Sequence, residues 1–140
     1  MTKMLDYDPL PAADSERLEL AFREKNPELG CLLVASALAS PDDERVLELA
    51  LQSLKFKDET LVANALEAIE HVHWFGSGRL LTISLLNASL LNVPKQLRGN
   101  EFVISNLMSL CDCLYEKGVQ IDGSSPRYGI KDGLAVSADQ

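Results

Sequence analysis

The residues best equipped for chemistry are two histidines and three cysteines. Glu70-His71-Val72-His73 holds one Glu-x-x-His, the spacing with which helical bundles bind paired metal ions. Such a centre needs a second Glu-x-x-His from another helix, and the chain has no third histidine. Residues two apart on a helix point about 200° apart, so the two rings would not chelate one ion. The expectation is therefore a pair of helix-end histidines, placed where the C-terminal dipole favours positive charge. Cys111 and Cys113 diverge on a helix for the same reason, and Cys31 stands alone. A zinc site wants four ligands, usually with paired cysteine spacing, so buried structural thiols are expected. Thiol catalysis would need a thiolate held by a histidine, hence a fold that brings His71 or His73 to Cys111 or Cys113. No catalytic residue, cofactor or metal ligand is assigned.

Gly76-Ser77-Gly78-Arg79 stands before an apolar run. A phosphate loop needs a preceding strand and a fuller glycine pattern, and the preceding segment reads as helix, so this is expected to be a turn. Trp74 falls near the polar stripe of its helix, whereas Phe75 is expected to cover the core edge. Aromatic residues on polar faces often anchor interfaces. Asn64, Glu67, Glu70, His71 and Trp74 make a candidate partner-binding stripe, which Ser105, Ser109, Asp112 and Glu116 continue on the last helix.

These residues must be held by helices. Leu80 to Val93, LLTISLLNASLLNV, is apolar on almost every face and too short for a membrane span, which needs about 20 mostly apolar residues. It is expected to be a buried central helix, covered on all sides, between a glycine break and Pro94. Residues 1–13 read as a loose lead-in. Asp14 or Ser15 starts a first helix to about Lys25. Asn26-Pro27-Glu28 starts a second, to about Ala39. Ser40-Pro41-Asp42-Asp43-Glu44 starts a third, and Asp58 caps a fourth. Asn100 caps the last, which Gly118 is expected to end. Residues 119–140, rich in Gly, Ser and Asp, are expected to be an irregular or disordered tail after a helical domain over 14–118.

The chain of 140 residues has the size of one domain. Met1 to Pro11 shows no signal-peptide pattern, and three cysteines are an odd count for a disulfide framework. Both point to a reducing cytoplasm. Residues 1–70 hold 15 acids and 7 bases, whereas residues 71–140 hold 6 of each. A net charge of −8 repels a phosphate backbone, which argues against nucleic acid and suits a basic protein partner.

The sequence also repeats. Leu18-Glu19-Leu20-Ala21-Phe22 recurs as Leu47-Glu48-Leu49-Ala50-Leu51. Leu33-Val34-Ala35-Ser36-Ala37-Leu38-Ala39 recurs as Leu61-Val62-Ala63-Asn64-Ala65-Leu66-Glu67, with a weaker copy at Phe102 to Met108. Each unit is a helix, a turn and a second helix, and stacking several makes one continuous core. Asp58 to Ile69 resembles the second helix of a HEAT-type repeat, with an Asp in the turn, a Val near the helix start, and Ala and Leu or Ile at packing positions. The resemblance spans roughly residues 14–117 and is best over 43–73; Ala63 replaces the basic residue that often follows the Val. It implies a short solenoid whose second helices line a binding face, as in scaffolds, adaptors and inhibitors.

The expected fold is thus all-α, with about six helices in three antiparallel pairs, arranged as a short HEAT-like solenoid or an irregular helical bundle. The expected function is non-catalytic binding of a basic protein such as a toxin or nuclease, in the manner of an inhibitor or immunity protein. A chaperone or adaptor for a secreted protein, an enzyme with a His/Cys site, and a homodimer through the central helix are the alternatives.

Overall fold

The computed structural model describes residues 15–138. Among them are six α-helices: α1 (Ser15–Arg23), α2 (Leu29–Ala39), α3 (Glu44–Gln52), α4 (Glu59–Phe75), α5 (Ile83–Leu90) and α6 (Glu101–Asp122). Two strands follow, β1 (Tyr128–Lys131) and β2 (Leu134–Ser137). The expected all-α architecture is what the chain adopts, with one small hairpin added. The lead-in expected over 1–13, and Asp14 as a cap, lie outside the described residues.

Local chemistry sets the helix starts. Asp43 accepts the Arg45 N–H at 2.9 Å, and Asp58 accepts those of Thr60 and Leu61 at 2.9 and 3.2 Å. Asn100 accepts those of Phe102 and Val103 at 2.9 and 3.2 Å. Each satisfies backbone donors that a first helical turn leaves without partners. Asn26 accepts the Glu28 N–H at 2.8 Å, but α2 begins only at Leu29, after that turn has closed. Similarly, α1 stops at Arg23, and Lys25 turns the chain with a left-handed φ of 51°.

The helices lie in two layers. α4 packs against α2 on one side and α6 on the other, while α3 touches α1 and α5 and also lies on α4. The directions follow from contacts at the helix ends. Gly30 and Asn64 meet near the N-terminal ends of α2 and α4, and Asp42 and Ser77, in the turns that leave those helices, are joined by a hydrogen bond of 2.8 Å. Glu59 and Asn100 meet at the N-terminal ends of α4 and α6, and Trp74 meets Lys117 further along. So α2, α4 and α6 run side by side in one direction. The core of this layer includes Leu29, Leu33, Val62, Leu66, Ile69 and Leu110, all essentially inaccessible to solvent.

Three expectations need correction. First, Leu80 to Val93 is not a central helix buried on all sides. Thr82 caps a helix of eight residues, in which Leu86 and Leu90 are buried but Leu85 is 41 % exposed, and Leu91 just after it is 59 % exposed. The reason is position: α5 lies at the edge of its layer and packs on α3, on the 3-10 turn at Ser53–Lys55 and on β2. The centre belongs to α4. Second, Gly118 does not end α6. The helix continues to Asp122, and Gly123, with φ 79°, caps it. Gly118 instead gives room to the returning chain, since a Cβ there would lie 2.4 Å from the Ser125 hydroxyl. Third, residues 128–137 form a β-hairpin where an irregular tail was expected. Asp132 and Gly133, both with positive φ, turn the chain between Lys131 and Leu134, which fits a tight hairpin. Asn87 of α5 donates to the Ala135 carbonyl at 2.8 Å and accepts the Ala135 N–H at 2.9 Å. This clamp occupies backbone groups that an edge strand would otherwise leave open. With β1 on α6 and β2 on α5, the hairpin links the last two helices.

The approach of α2 to α4 depends on Gly30. A Cβ there would lie 2.5 Å from Asn64 Nδ2 and 2.9 Å from Asn64 Cβ. The amide could swing aside, but the Cβ could not without moving the helix. Gly30→Ala gains about 1 kcal/mol of helix propensity and meets an overpacking cost of about 1–3 kcal/mol. We expect a lower urea midpoint for Gly30→Ala, partly restored in Gly30→Ala/Asn64→Ala because only the amide clash is relieved. A midpoint at or above that of the parent protein would show that the helices are not in tight contact here.

Candidate functional site

α4 and α6 are neighbours, so the nine residues of the sequence stripe share one side of the molecule. They do not form one surface of uniform character. Asn64 lies toward α2 and faces Gly30. Glu67 and His71 are one turn apart, with His71 Nε2 3.2 Å from Glu67 Oε2. Glu70 and Trp74 lie toward α6: the Cys113 thiol donates to the Glu70 carbonyl at 3.8 Å, and Lys117 Nζ donates to the Trp74 carbonyl at 3.0 Å. The Lys117 ammonium also sits 5.8 Å from the indole centroid. Ser105, Ser109, Asp112 and Glu116 are exposed on α6. The first three line a shallow groove of about 530 Å³ beside Met108.

The two aromatic residues exchange their expected roles. Trp74 is half-buried under Lys117, whereas Phe75 is 56 % exposed and rests against the His71 ring at 5.7 Å. α6 covers the side of α4 that carries Trp74, and no described helix covers Phe75 in the same way. Residue spacing alone could not tell which side a neighbouring helix would take.

Carboxylates from the two helices converge on the Cys113 thiol. Burial pushes that thiol up to about 12, and the negative charges of Glu70 and Glu116 add to the rise. Cys111 is pushed up to about 11 by burial and by Asp112. A thiol held so high carries almost no thiolate at neutral pH, so neither is prepared as a nucleophile. Among the described residues no hydrogen bond joins a cysteine to a histidine, and no group of three or more His, Cys, Asp or Glu could hold a metal ion. Cys31 is the exposed thiol.

The histidines also part company. His71 keeps an acid beside it. His73 is 6 % exposed, its Nδ1 has no partner among the described residues, and it lines a cleft of about 350 Å³ with Arg79, Leu114 and Tyr128. It is not the charged helix-end histidine that the sequence suggested. Burial first, and the Lys117 ammonium second, lower its pKa and favour the neutral ring. The Gly76-Ser77-Gly78 turn is held by a carboxylate, since Asp42 accepts the Ser77 N–H, and this disfavours an anion there.

A second cavity was not legible as a site. It occupies about 520 Å³ at the N-terminal ends of α2 and α4 and is lined by Lys25, Lys55, Lys57, Phe56 and Asn64, among others. Its lysines come from two turns some 30 residues apart in the chain, so no local motif announced them.

Compared with known proteins, the chain matches no family model, no curated protein and no solved structure. No helix among the described residues is long and apolar enough to cross a membrane.

Two measurements test this electrostatic picture. DTNB should react readily with the one exposed thiol, Cys31, and with Cys111 and Cys113 only on unfolding; rapid reaction of all three would contradict their burial. For His73 the folded pKa lies below the unfolded one. Its contribution is therefore complete above the unfolded pKa, near 6.5, and is lost as pH falls through that value toward the folded pKa. Between about pH 7.5 and about pH 5.5 the parent protein should lose more stability than His73→Gln, as read from urea midpoints. Equal losses would mean that His73 titrates as it does in the unfolded chain.

Proposed function

We propose that this protein is a non-catalytic binding module built from HEAT-like helical repeats, which docks a basic protein on the α4–α6 side. The observation that carries this reading is a set of four carboxylates, Glu67, Glu70, Asp112 and Glu116, on two adjacent helices. Among the described residues none of them pairs with a Lys or Arg; Glu67 has only His71. Phe75 and Met108, both 56 % exposed, stand on the same two helices. Acidic groups around exposed apolar side chains suit a cationic partner, with charge steering the encounter and the apolar residues holding the complex. The parallel order of α2, α4 and α6 supports the repeat reading, because the second helices of a solenoid line one face. The overall charge of −8 and the high thiol pKa values favour an inhibitor or immunity-type binder over a thiol enzyme.

A second reading has its own observation. Between α6 and β1 runs a groove of about 330 Å³ lined by Ile104, Met108, Tyr128 and Ile130. An adaptor or chaperone could hold an apolar segment there.

The deciding experiment is affinity capture from the source cells at low and high salt, run beside the variant Glu67→Gln/Glu70→Gln/Asp112→Asn/Glu116→Gln. We expect a basic protein retained at low salt, lost at high salt and lost with the variant, because exposed charge pairs are screened beyond about 8 Å at physiological ionic strength. Capture that ignores salt and variant but fails with Met108→Asp supports the apolar groove instead. Capture of nothing under any condition removes the binding reading.

A further inference from the structure

We propose that the cavity at the N-terminal ends of α2 and α4 binds a small phosphate-bearing anion of at least two negative charges, such as the diphosphate of an organic phosphate. The proposal is independent of the α4–α6 surface. Lys25 and Lys55 place their ammonium groups 5.6 and 5.7 Å from the centroid of one ring, that of Phe56, and Lys57 lines the same space. All three lysines are exposed, and cation–π contacts hold two of them, since Lys55 also lies 5.6 Å from the Phe22 centroid; an anion between the three would relieve the repulsion that remains. The chain has 21 acids, yet none of the three lysines forms an ion pair with a described carboxylate. Among the described residues Asp58 is the one carboxylate in the lining, and its oxygen already accepts the Thr60 and Leu61 N–H groups. With three ammonium groups against one carboxylate among these residues, the cavity is a positive spot on an acidic molecule.

Two further features point into the same space. The Asn64 carboxamide lines the cavity beside Gly30 and makes no hydrogen bond among the described residues. The N-terminus of α2 carries the positive end of its dipole toward the cavity, whereas that of α4 already has the Asp58 carboxylate as its cap. Lys25 itself occupies a left-handed position, φ 51°, where a glycine is the ordinary choice. Lysine ammonium groups act as point charges on phosphate, and the volume of about 520 Å³ exceeds what one inorganic phosphate needs. The wall formed by Phe56 and Leu61 would take an apolar or flat organic body.

The test is a titration of the full chain with sodium pyrophosphate, followed by amide chemical shifts and by calorimetry. Shift changes should centre on residues 25–30 and 55–64, and affinity should fall as salt rises. Lys25→Gly suits the left-handed position, so it should raise the urea midpoint while weakening pyrophosphate binding by about tenfold. Lys57→Gln should also weaken binding and leave the midpoint near that of the parent. Lys131→Gln, on β1 and outside the cavity, should bind as the parent does. The proposal is overturned if millimolar pyrophosphate moves no resonance in these segments, or if Lys131→Gln loses as much affinity as Lys25→Gly. Binding of citrate as tight as that of pyrophosphate would overturn the assignment to phosphate.

Discussion

Everything in this molecule depends on the burial of α4. Val62, Ala65, Leu66, Ala68, Ile69 and Val72 are all out of solvent, which no single neighbouring helix could achieve. α2, α3 and α6 each take part of its circumference. The apolar area removed from water is the main stabilising contribution, at roughly 25 cal/mol per Å². It can be removed only if the neighbours come close, and small residues permit this. Ala65 and Ala68 thin α4, while Gly30 thins α2 where Asn64 stands. The polar remainder of α4 is what three helices leave uncovered, namely a strip running from Asn64 through Glu67 and His71 to Phe75. The candidate contact surface is thus a consequence of core packing and not a separate design.

This dependence explains which features could be read from the sequence. Helix starts were legible because capping is local: Asp43, Asp58 and Asn100 each serve an N–H two or three residues away. The apolar period of α4 was legible because three neighbours reinforce one pattern. Leu80 to Val93 misled because its leucines suggest coverage on all sides, and coverage depends on partners far away in the chain. Leu85 and Leu91 stay largely exposed among the described residues, whereas Asn87 meets Ala135, 48 residues further on. The hairpin did leave a signal, Asp132-Gly133 between Ile130 and Leu134, but the glycine and serine content around it suggested a loose tail. At the site, the stripe followed from helical period, while the different fates of Trp74 and Phe75 depended on where α6 came to lie. The lysine cavity left no local trace, since Lys25 and the Lys55–Lys57 turn meet only after α2 and α4 align.

Alignment of α2, α4 and α6 in one direction also sorts the charges. Three helix N-termini gather at one end of the layer, and the positive ends of their dipoles add there. The caps Asp58 and Asn100 and the acids Glu59 and Glu101 answer part of that potential. At the α2–α4 corner lysines stand beside Asp58 and near Glu28, the N-cap position of α2, and add positive charge near the positive ends of two dipoles. Lysine is an unfavourable choice there on local electrostatic grounds, as is Lys25 in a left-handed conformation on backbone grounds.

Two unfavourable choices stand together at this corner. Arg45 illustrates the ordinary case: it pairs with Glu19 of α1 and Glu48 of its own helix, joining α1 to α3 with charges of opposite sign. The acids of α4 and α6 are an intermediate case. They repel one another weakly in water, at a cost that exposure keeps small. The lysine corner is exposed as well, with Asp58 in its lining, and Lys25 and Lys55 lie over the Phe22 and Phe56 rings. The aromatic contacts offset part of the conflict between the lysines, and an anion bound among them would relieve the rest. On the two readings proposed above, the ends of α4 would have opposite tasks: one would attract an anion into a cavity, and the other would present carboxylates and Phe75 to a larger cationic surface.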